Sequence, residues 1–265
     1  MNHAILIVVD GLRPDAISPA ETPNICRLMA KGAACLRAQT VPPAMTLPAH
    51  FSIFTGVPPS RHGVWTNTDH PTPAPDCPGL MERIRFHGGT SAAFFSWELL
   101  RNLWSPGAVE MAHCRNTVSE EGHDLRLAEA CGQWVAERRP NFVFLYLERT
   151  DFAGHAEGWM SDFYREAVRG ADAAVGRFLE ILELADCRRR YGIVLQSDHG
   201  GIERDHGNRV EPEVLTVPWM ASGAGIPAGH EISTEVSVLD TAPTLARMLD
   251  FPAKDGRFSD PPAEI

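Results

Sequence analysis

Residues 4–10, AILIVVD, form an unbroken apolar run closed by an aspartate, the pattern of a strand buried on both faces. NFVFLYLERTD (141–151) and YGIVLQSD (191–198) repeat it, and each also ends in aspartate. Between these runs the apolar positions change to helical spacing. TPNICRLMAKG (22–32) closes on a glycine, while GHDLRLAEACGQWVAERR (122–139) and FYREAVRGADAAVGRFLEILELA (163–185) predict longer amphipathic helices. TVPWMASG (216–223) predicts a further strand and SVLDTAPTLARMLDF (237–251) a late helix. Residues 66–80, TNTDHPTPAPDCPGL, are rich in proline and polar residues and predict a surface loop. Buried strands alternating with helices predict an α/β fold, a mostly parallel central sheet with helices on both faces. No repeat or low-complexity tract divides the chain, so residues 1–265 are expected to form one catalytic domain.

Composition narrows the function classes. A hydrophobic content of 44% supports a large core, and a formal net charge of −10 without a long basic run argues against a nucleic-acid polymer as partner. The six cysteines form no C-x-x-C pair and suggest no disulfide framework. Reduced thiols, together with a first apolar run too short for a signal peptide or membrane span, predict a cytoplasmic protein without membrane attachment.

The chemistry lies at the strand ends. In an open parallel sheet, ligands bind outside the carboxyl ends of the strands. Asp10, Asp151 and Asp198 delivered there would repel one another unless positive charge sat between them. The structural alternative is that each caps a following turn or helix. Histidines accompany two of the three: Asp151 and His155 in DFAGH, and Asp198 and His199 in SDHG. Mixed carboxylate and imidazole donors suit zinc or manganese better than magnesium or calcium. Gly154 is expected to allow a tight turn, and Gly200-Gly201 to bend the chain so that Asp198 and His199 share one ion. The second Asp-His-Gly, at Asp205-His206-Gly207, places His206 within reach of a second ion, with Asp205 a solvated residue or a supporting partner. Thr46, in PPAMTLPAHFSIFTG, stands at a helix start. It is either an N-cap or a nucleophile, its alkoxide stabilised by a metal and the helix N-terminus.

The ordered set Asp10, TLPAHFSIFTG, RHGVWTN, DFAGH, SDHGG, DHG and TVPWMASGAGI resembles the nucleotide pyrophosphatase/phosphodiesterase branch of the alkaline phosphatase superfamily. The resemblance implies an alkaline phosphatase-like fold and two divalent ions, usually zinc. It implies that Asp10, Thr46, Asp198 and His199 surround one ion, and Asp151, His155 and His206 the other. It also implies that Asn67 hydrogen-bonds a non-bridging phosphate oxygen. The expected activity is hydrolysis of small phosphate esters, phosphodiesters or pyrophosphates, through a phosphothreonine at Thr46. A phosphomonoesterase, a phosphonate hydrolase and a non-catalytic metal-binding module are the alternatives. The chain is shorter than typical members, and His206 follows SDHG unusually closely. Sulfatases of the superfamily carry cysteine or serine in a C-x-P-x-R context. Here Thr46 cannot become formylglycine and His50 stands in place of the arginine.

Weaker expectations concern other side chains. Trp65, Trp97, Trp104 and Trp159 flank the site loops and serve either packing or stacking on a leaving group. His62, His70, His87 and His113 are expected in solvated loops, and Met29, Met81 and Met248 in the core.

Overall fold

In a computed structural model, described for residues 1–250 and Glu264, the chain builds one eight-stranded sheet. Its strands are β1 (His3–Val9), β2 (Ala33–Gln39), β3 (Ser91–Phe95), β4 (Met111–Cys114), β5 (Phe142–Leu147), β6 (Tyr191–Gln196), β7 (Thr216–Ser222) and β8 (His230–Glu231). The helices are α1 (Pro23–Ala30), α2 (Thr46–Thr55), α3 (Pro59–His62), α4 (Leu80–Phe86), α5 (His123–Arg138), α6 (Arg149–Glu157), α7 (Asp162–Leu184), α8 (Pro212–Leu215) and α9 (Thr241–Met248). The strand order is β4-β3-β5-β1-β6-β7-β2-β8. Only β7 runs against the rest: it pairs antiparallel with β6 and β2, while every other pairing is parallel.

The two-faced burial of β1 follows from its sequence. Ala4, Leu6 and Val8 enter one apolar cluster, and Ile5, Ile7 and Val9 enter the other. Strand β5 divides likewise, with Phe142, Phe144 and Tyr146 on one face and Val143, Leu145 and Leu147 on the other. Helices α2, α4 and α9 cover the first face through Leu47, Ile84 and Leu245, and α1, α5 and α7 the second through Ile25, Leu127 and Phe178. Full burial of a side chain such as Phe178 contributes about 2–3 kcal/mol. Asp172 of α7 accepts from the Ile25 N–H at 2.8 Å and the Asn24 N–H at 3.2 Å, and so fixes the N-terminus of α1.

The three long apolar runs, TVPWMASG and the helical stretches fold as their periodicity predicts, and residues 66–79 are irregular. The late helix spans Thr241–Met248, and its predicted last residue, Phe251, lies outside the described residues. Strands β2, β3 and β4 carry weaker signals. β2 is alanine-rich with a register shift between Cys35 and Ala38, β3 is only five residues long, and β4 lies at the sheet edge. His62 departs from expectation, because it is sealed from solvent between α2 and α3. Its Nδ1 accepts from the Val64 N–H at 3.1 Å, which leaves Nε2 to donate to Ser52 Oγ at 2.9 Å. His113 is likewise not in a loop: it is half-buried on β4, against Phe94. Met81 is fully buried, and Met29 and Met248 pack at the edges of the core.

Candidate metal centre and nucleophile

The order β5-β1-β6 puts three aspartate-bearing strand ends side by side. Asp10 follows β1 directly, Asp198 lies two residues beyond β6, and Asp151 stands in the first turn of α6 after β5. Helical spacing, four residues apart, then brings His155 onto the face of Asp151, with Nε2 3.6 Å from Asp151 Oδ2. The stretch DFAGH is therefore helical and contains no tight turn. Gly154 is a glycine for a different reason: a Cβ there would lie 2.6 Å from the ring of Trp159. The pair Gly200-Gly201 is corrected in the same way. Neither has positive φ; a Cβ on Gly200 would lie 2.0 Å from the Glu213 carbonyl, and one on Gly201 2.1 Å from the Trp159 ring. Both glycines answer close packing rather than backbone bending.

Each carboxylate of the first group is held by one oxygen and bare at the other. Asp198 Oδ1 accepts from the N–H of His199 at 3.0 Å and of Gly11 at 3.3 Å, leaving the buried Oδ2 without a hydrogen bond. Tyr146 donates its hydroxyl to Asp10 Oδ2, leaving the buried Oδ1 bare. Burial, then the charges of Asp198 and Asp151, raise the Asp10 carboxyl well above the carboxylate range; burial, Asp198 and Glu148 do the same to Asp151.

The three histidines are oriented by one device. Nδ1 of His155 lies 2.9 Å from the Arg204 carbonyl, that of His199 2.9 Å from the Gly200 carbonyl, and that of His206 2.6 Å from the Ala44 carbonyl. A carbonyl only accepts, so each Nδ1 carries a proton, and in a neutral ring Nε2 presents a lone pair. Burial lowers the pKa of both His199 and His206 to about 3, so both rings are neutral. His199 Nε2 lies 3.3 Å from Asp10 Oδ1, 3.5 Å from Asp198 Oδ2 and 3.5 Å from Thr46 Oγ1. His206 Nε2 lies 3.7 Å from Asp151 Oδ1 and 3.0 Å from His155 Nε2. Four donors around zinc at 2.0–2.1 Å would be separated by about 3.3 Å, the edge of the tetrahedron. Bare lone pairs of neutral imidazoles and bare buried carboxylate oxygens at that spacing fit two divalent ions. Asp151 lies between the groups: its carboxylate also comes within 4.8 Å of the Asp10 and His199 donor atoms.

Thr46 is the first residue of α2 rather than its N-cap. Met45 holds the N-cap position and offers no side-chain cap of its own. Thr46 is thus not the N-cap, and its buried hydroxyl lies 3.5 Å from His199 Nε2. Every residue of α2 is buried, as an apolar helix of this kind requires, and its first turn carries Thr46 into the site. Asn67 comes from the exposed loop after α3, where its Oδ1 accepts from the Leu47 N–H at 2.9 Å. That bond leaves its amide Nδ2 as the donor on offer. The segment before Thr46 is bridged to the loop of His206: Ala44 N–H donates to Gly207 O at 2.8 Å, and Gly207 N–H returns to Ala44 O at 3.0 Å.

Three contributors carried little sequence signal. Tyr146 looks like core filling within FVFLYL, although its hydroxyl is the one polar tip in that strand. His50 is fully buried and donates Nδ1–H to the Thr46 carbonyl at 2.8 Å, 3.5 Å from Asp198 Oδ2; the Thr46–His50 spacing of four is the trace it leaves in sequence. Trp159 is buried at 7% exposure and does not offer a stacking face to a leaving group. Trp97 and Trp104 pack against the core, and Trp65 is 51% exposed. Asp205 is exposed beside Arg209 at 3.3 Å, as expected of a solvated residue.

The family model for type I phosphodiesterase / nucleotide pyrophosphatase matches residues 4–217. Ectonucleotide pyrophosphatase/phosphodiesterase family member 3 of Rattus norvegicus is 26% identical over 230 residues, 78% of this chain and 26% of its own length. An uncharacterized pyrophosphatase/phosphodiesterase of Schizosaccharomyces pombe is 25% identical over 215 residues, 74% of this chain and 44% of its own. The chain thus spans about a quarter of the first of these relatives and less than half of the second. Among solved structures, murine ectonucleotide pyrophosphatase / phosphodiesterase 5, an inactive form in complex with AMP, superposes with a TM-score of 0.77 at 14% identity, covering 96% of both chains. A 2-O glycosaminoglycan sulfatase also gives 0.77 at 14% identity, covering 96% of this chain and 72% of its own. Both show a shared alkaline phosphatase-like fold.

Proposed function

The chain belongs to the type I phosphodiesterase / nucleotide pyrophosphatase family, and from that premise we propose that it is a two-metal hydrolase of small phosphodiesters or pyrophosphates acting through a phosphothreonine at Thr46. One observation carries the reading. Three imidazole Nε2 atoms, each aimed by a carbonyl behind the ring, converge with bare oxygens of three aspartates beside the hydroxyl of Thr46. Asp10, Asp198, His199 and Thr46 would hold one ion, and Asp151, His155 and His206 the other. Zinc, with manganese the alternative, would supply Lewis-acid charge at the hydroxyl and at the phosphoryl oxygens.

The chain's own groups set the rest. The dipole at the N-terminus of α2 favours the ionised hydroxyl of Thr46 over the neutral one. Thr46 Oγ1 attacks phosphorus; the new O–P bond forms as the bond to the leaving oxygen breaks, and the leaving oxygen takes up a proton. Asn67, its Oδ1 occupied by Leu47, donates from Nδ2 to a non-bridging oxygen. Water then opens the phosphothreonine and releases the free hydroxyl and a phosphate product. The AMP bound to the murine relative fits a small phosphate-ester substrate here.

The test is metal analysis of the purified protein beside turnover of an aryl phosphodiester, a nucleoside pyrophosphate, a phosphomonoester and a phosphonate, with acid quench and mass spectrometry of the Thr46 peptide. Two zinc equivalents, fastest turnover on the first two substrates and a phosphorylated Thr46 are expected. Fastest turnover on the phosphomonoester or phosphonate would overturn the substrate, and undiminished turnover by Thr46→Ala at equal metal content would overturn the intermediate.

A further inference from the structure

Trp159 lies outside every ligand set, yet three segments that deliver ligands meet on it. Its indole N–H donates to the Gly11 carbonyl at 2.9 Å, one residue after Asp10. Its backbone N–H donates to the Glu203 carbonyl at 2.7 Å, in the loop between His199 and His206. Its ring stands near-perpendicular to His155, with centroids 5.2 Å apart at 81°, and to His206, at 5.9 Å and 71°. The slot that holds it is made by two missing side chains: a Cβ on Gly154 would come within 2.6 Å of the indole, and one on Gly201 within 2.1 Å. Gly154 of DFAGH and Gly201 of SDHGG therefore serve the same indole, from α6 on one side and the loop after Asp198 on the other.

We propose that Trp159 is a positioning residue of the metal centre, fixing the rings of His155 and His206 and tying their supports to the Gly11 turn, and so setting the affinity of the Asp151–His155–His206 site. The inference rests on the two-metal reading above. A carbonyl behind an imidazole fixes its tautomer and orients the ring from the Nδ1 side. An aromatic wall against both rings holds them from a second side. The Gly11 carbonyl is held twice, by Trp159 and by the Tyr164 hydroxyl at 2.9 Å, so the wall is anchored to the turn whose own N–H contacts Asp198. Ring contact and indole N–H are separable contributions, and different substitutions remove them.

Trp159→Leu removes both contributions, and Trp159→Phe keeps a ring in the slot while losing the N–H. The experiment is a zinc titration of the full chain against a chelating indicator, resolved into two constants, with His155→Ala in the parent assigning which constant belongs to this site. Trp159→Leu is expected to weaken that constant by about 10–100-fold while leaving the other within about threefold, and Trp159→Phe to recover most of the loss. Cobalt loaded in place of zinc should show altered visible absorption for the same site in Trp159→Leu. If Trp159→Leu does not fold, Gly154→Ala displaces the indole without changing it, and the same one-sided weakening is expected. Both constants unchanged beside a lowered Tm would overturn the inference, since Trp159 would then be a core residue. Equal weakening of both would overturn it too, since general loosening produces that. A parent binding fewer than two zinc ions removes the two-metal reading and this inference together, whereas a parent binding two with unaltered variants removes the inference alone.

Discussion

His199 and His206 lie face to face, their ring centroids 3.8 Å apart and their planes 15° from parallel, although each serves a different ligand group. Both rings are neutral, and a face-to-face pair so close would be opposed by repulsion if both carried charge. His206→Ala should abolish high-affinity zinc at its own group and also weaken the Asp10–Asp198–His199 group severalfold, because it uncovers one face of His199. His155→Ala removes a ligand without touching that stack, and should leave the His199 group unchanged. Two-site zinc titrations compare the variants; identical behaviour would show that the stack carries no coupling.

Thr46→Ala separates chemistry from structure. The threonine is not a cap and makes no cap hydrogen bond, so the substitution should cost about 1 kcal/mol or less in stability. On an aryl phosphodiester, kcat should fall by at least about a thousandfold at equal metal content. Thr46→Ser should restore appreciable turnover. An alanine variant within a few-fold of the parent would mean that water attacks phosphorus directly.

Asn67 supplies an informative contrast. Asn67→Ala removes the donor and should lower kcat by about 10²–10³-fold. Asn67→Asp still accepts from the Leu47 N–H but turns an anionic oxygen toward the phosphate, and should be slower again. Steady-state kinetics on one phosphodiester decide it, and an aspartate variant faster than the alanine one would remove Asn67 from contact with the phosphate.

Asp124 gives a pH dependence from outside the ligand set. Burial, then the charge of Glu148, raises its carboxyl to about 7. The unfolded value is about 3.9, so between roughly pH 4 and 7 the native state binds the extra proton. Stability from this group is therefore present below about pH 4 and lost as pH rises toward 7. Asp124→Asn should match the parent near pH 4 and exceed it at pH 8 by on the order of 2–4 kcal/mol. Thermal unfolding at the two pH values measures the difference; a variant destabilised at pH 8 would show that the carboxylate is held ionised.

The sequence carried the donors and concealed what aims them. Asp10, Asp151, Asp198 and the histidines beside them are legible because polar residues that close buried strands have few structural uses in common. Strands β1, β5 and β6 were legible for the related reason that both their faces are apolar. The supports were not, because Tyr146, His50 and Trp159 satisfy the apolar pattern of their elements and act through a single polar atom or an edge. Gly154, Gly200 and Gly201 misled for the opposite reason. A glycine in sequence suggests a turn, whereas these three make room for Trp159 and for the Glu213 carbonyl, neither visible from local spacing.

The reciprocal Ala44–Gly207 bridge bears on how the centre opens. Ala44 is two residues from Thr46 and also accepts from His206, so a fluctuation that frees this short bridge releases both together. Thr46 and His206 then come and go as one event, and a half-assembled centre, with one in place and the other released, is rarely visited. In solution this would be read as matched protection: the amide protons of Ala44 and Gly207 should exchange with deuterium at one rate, and both should slow together when zinc is added.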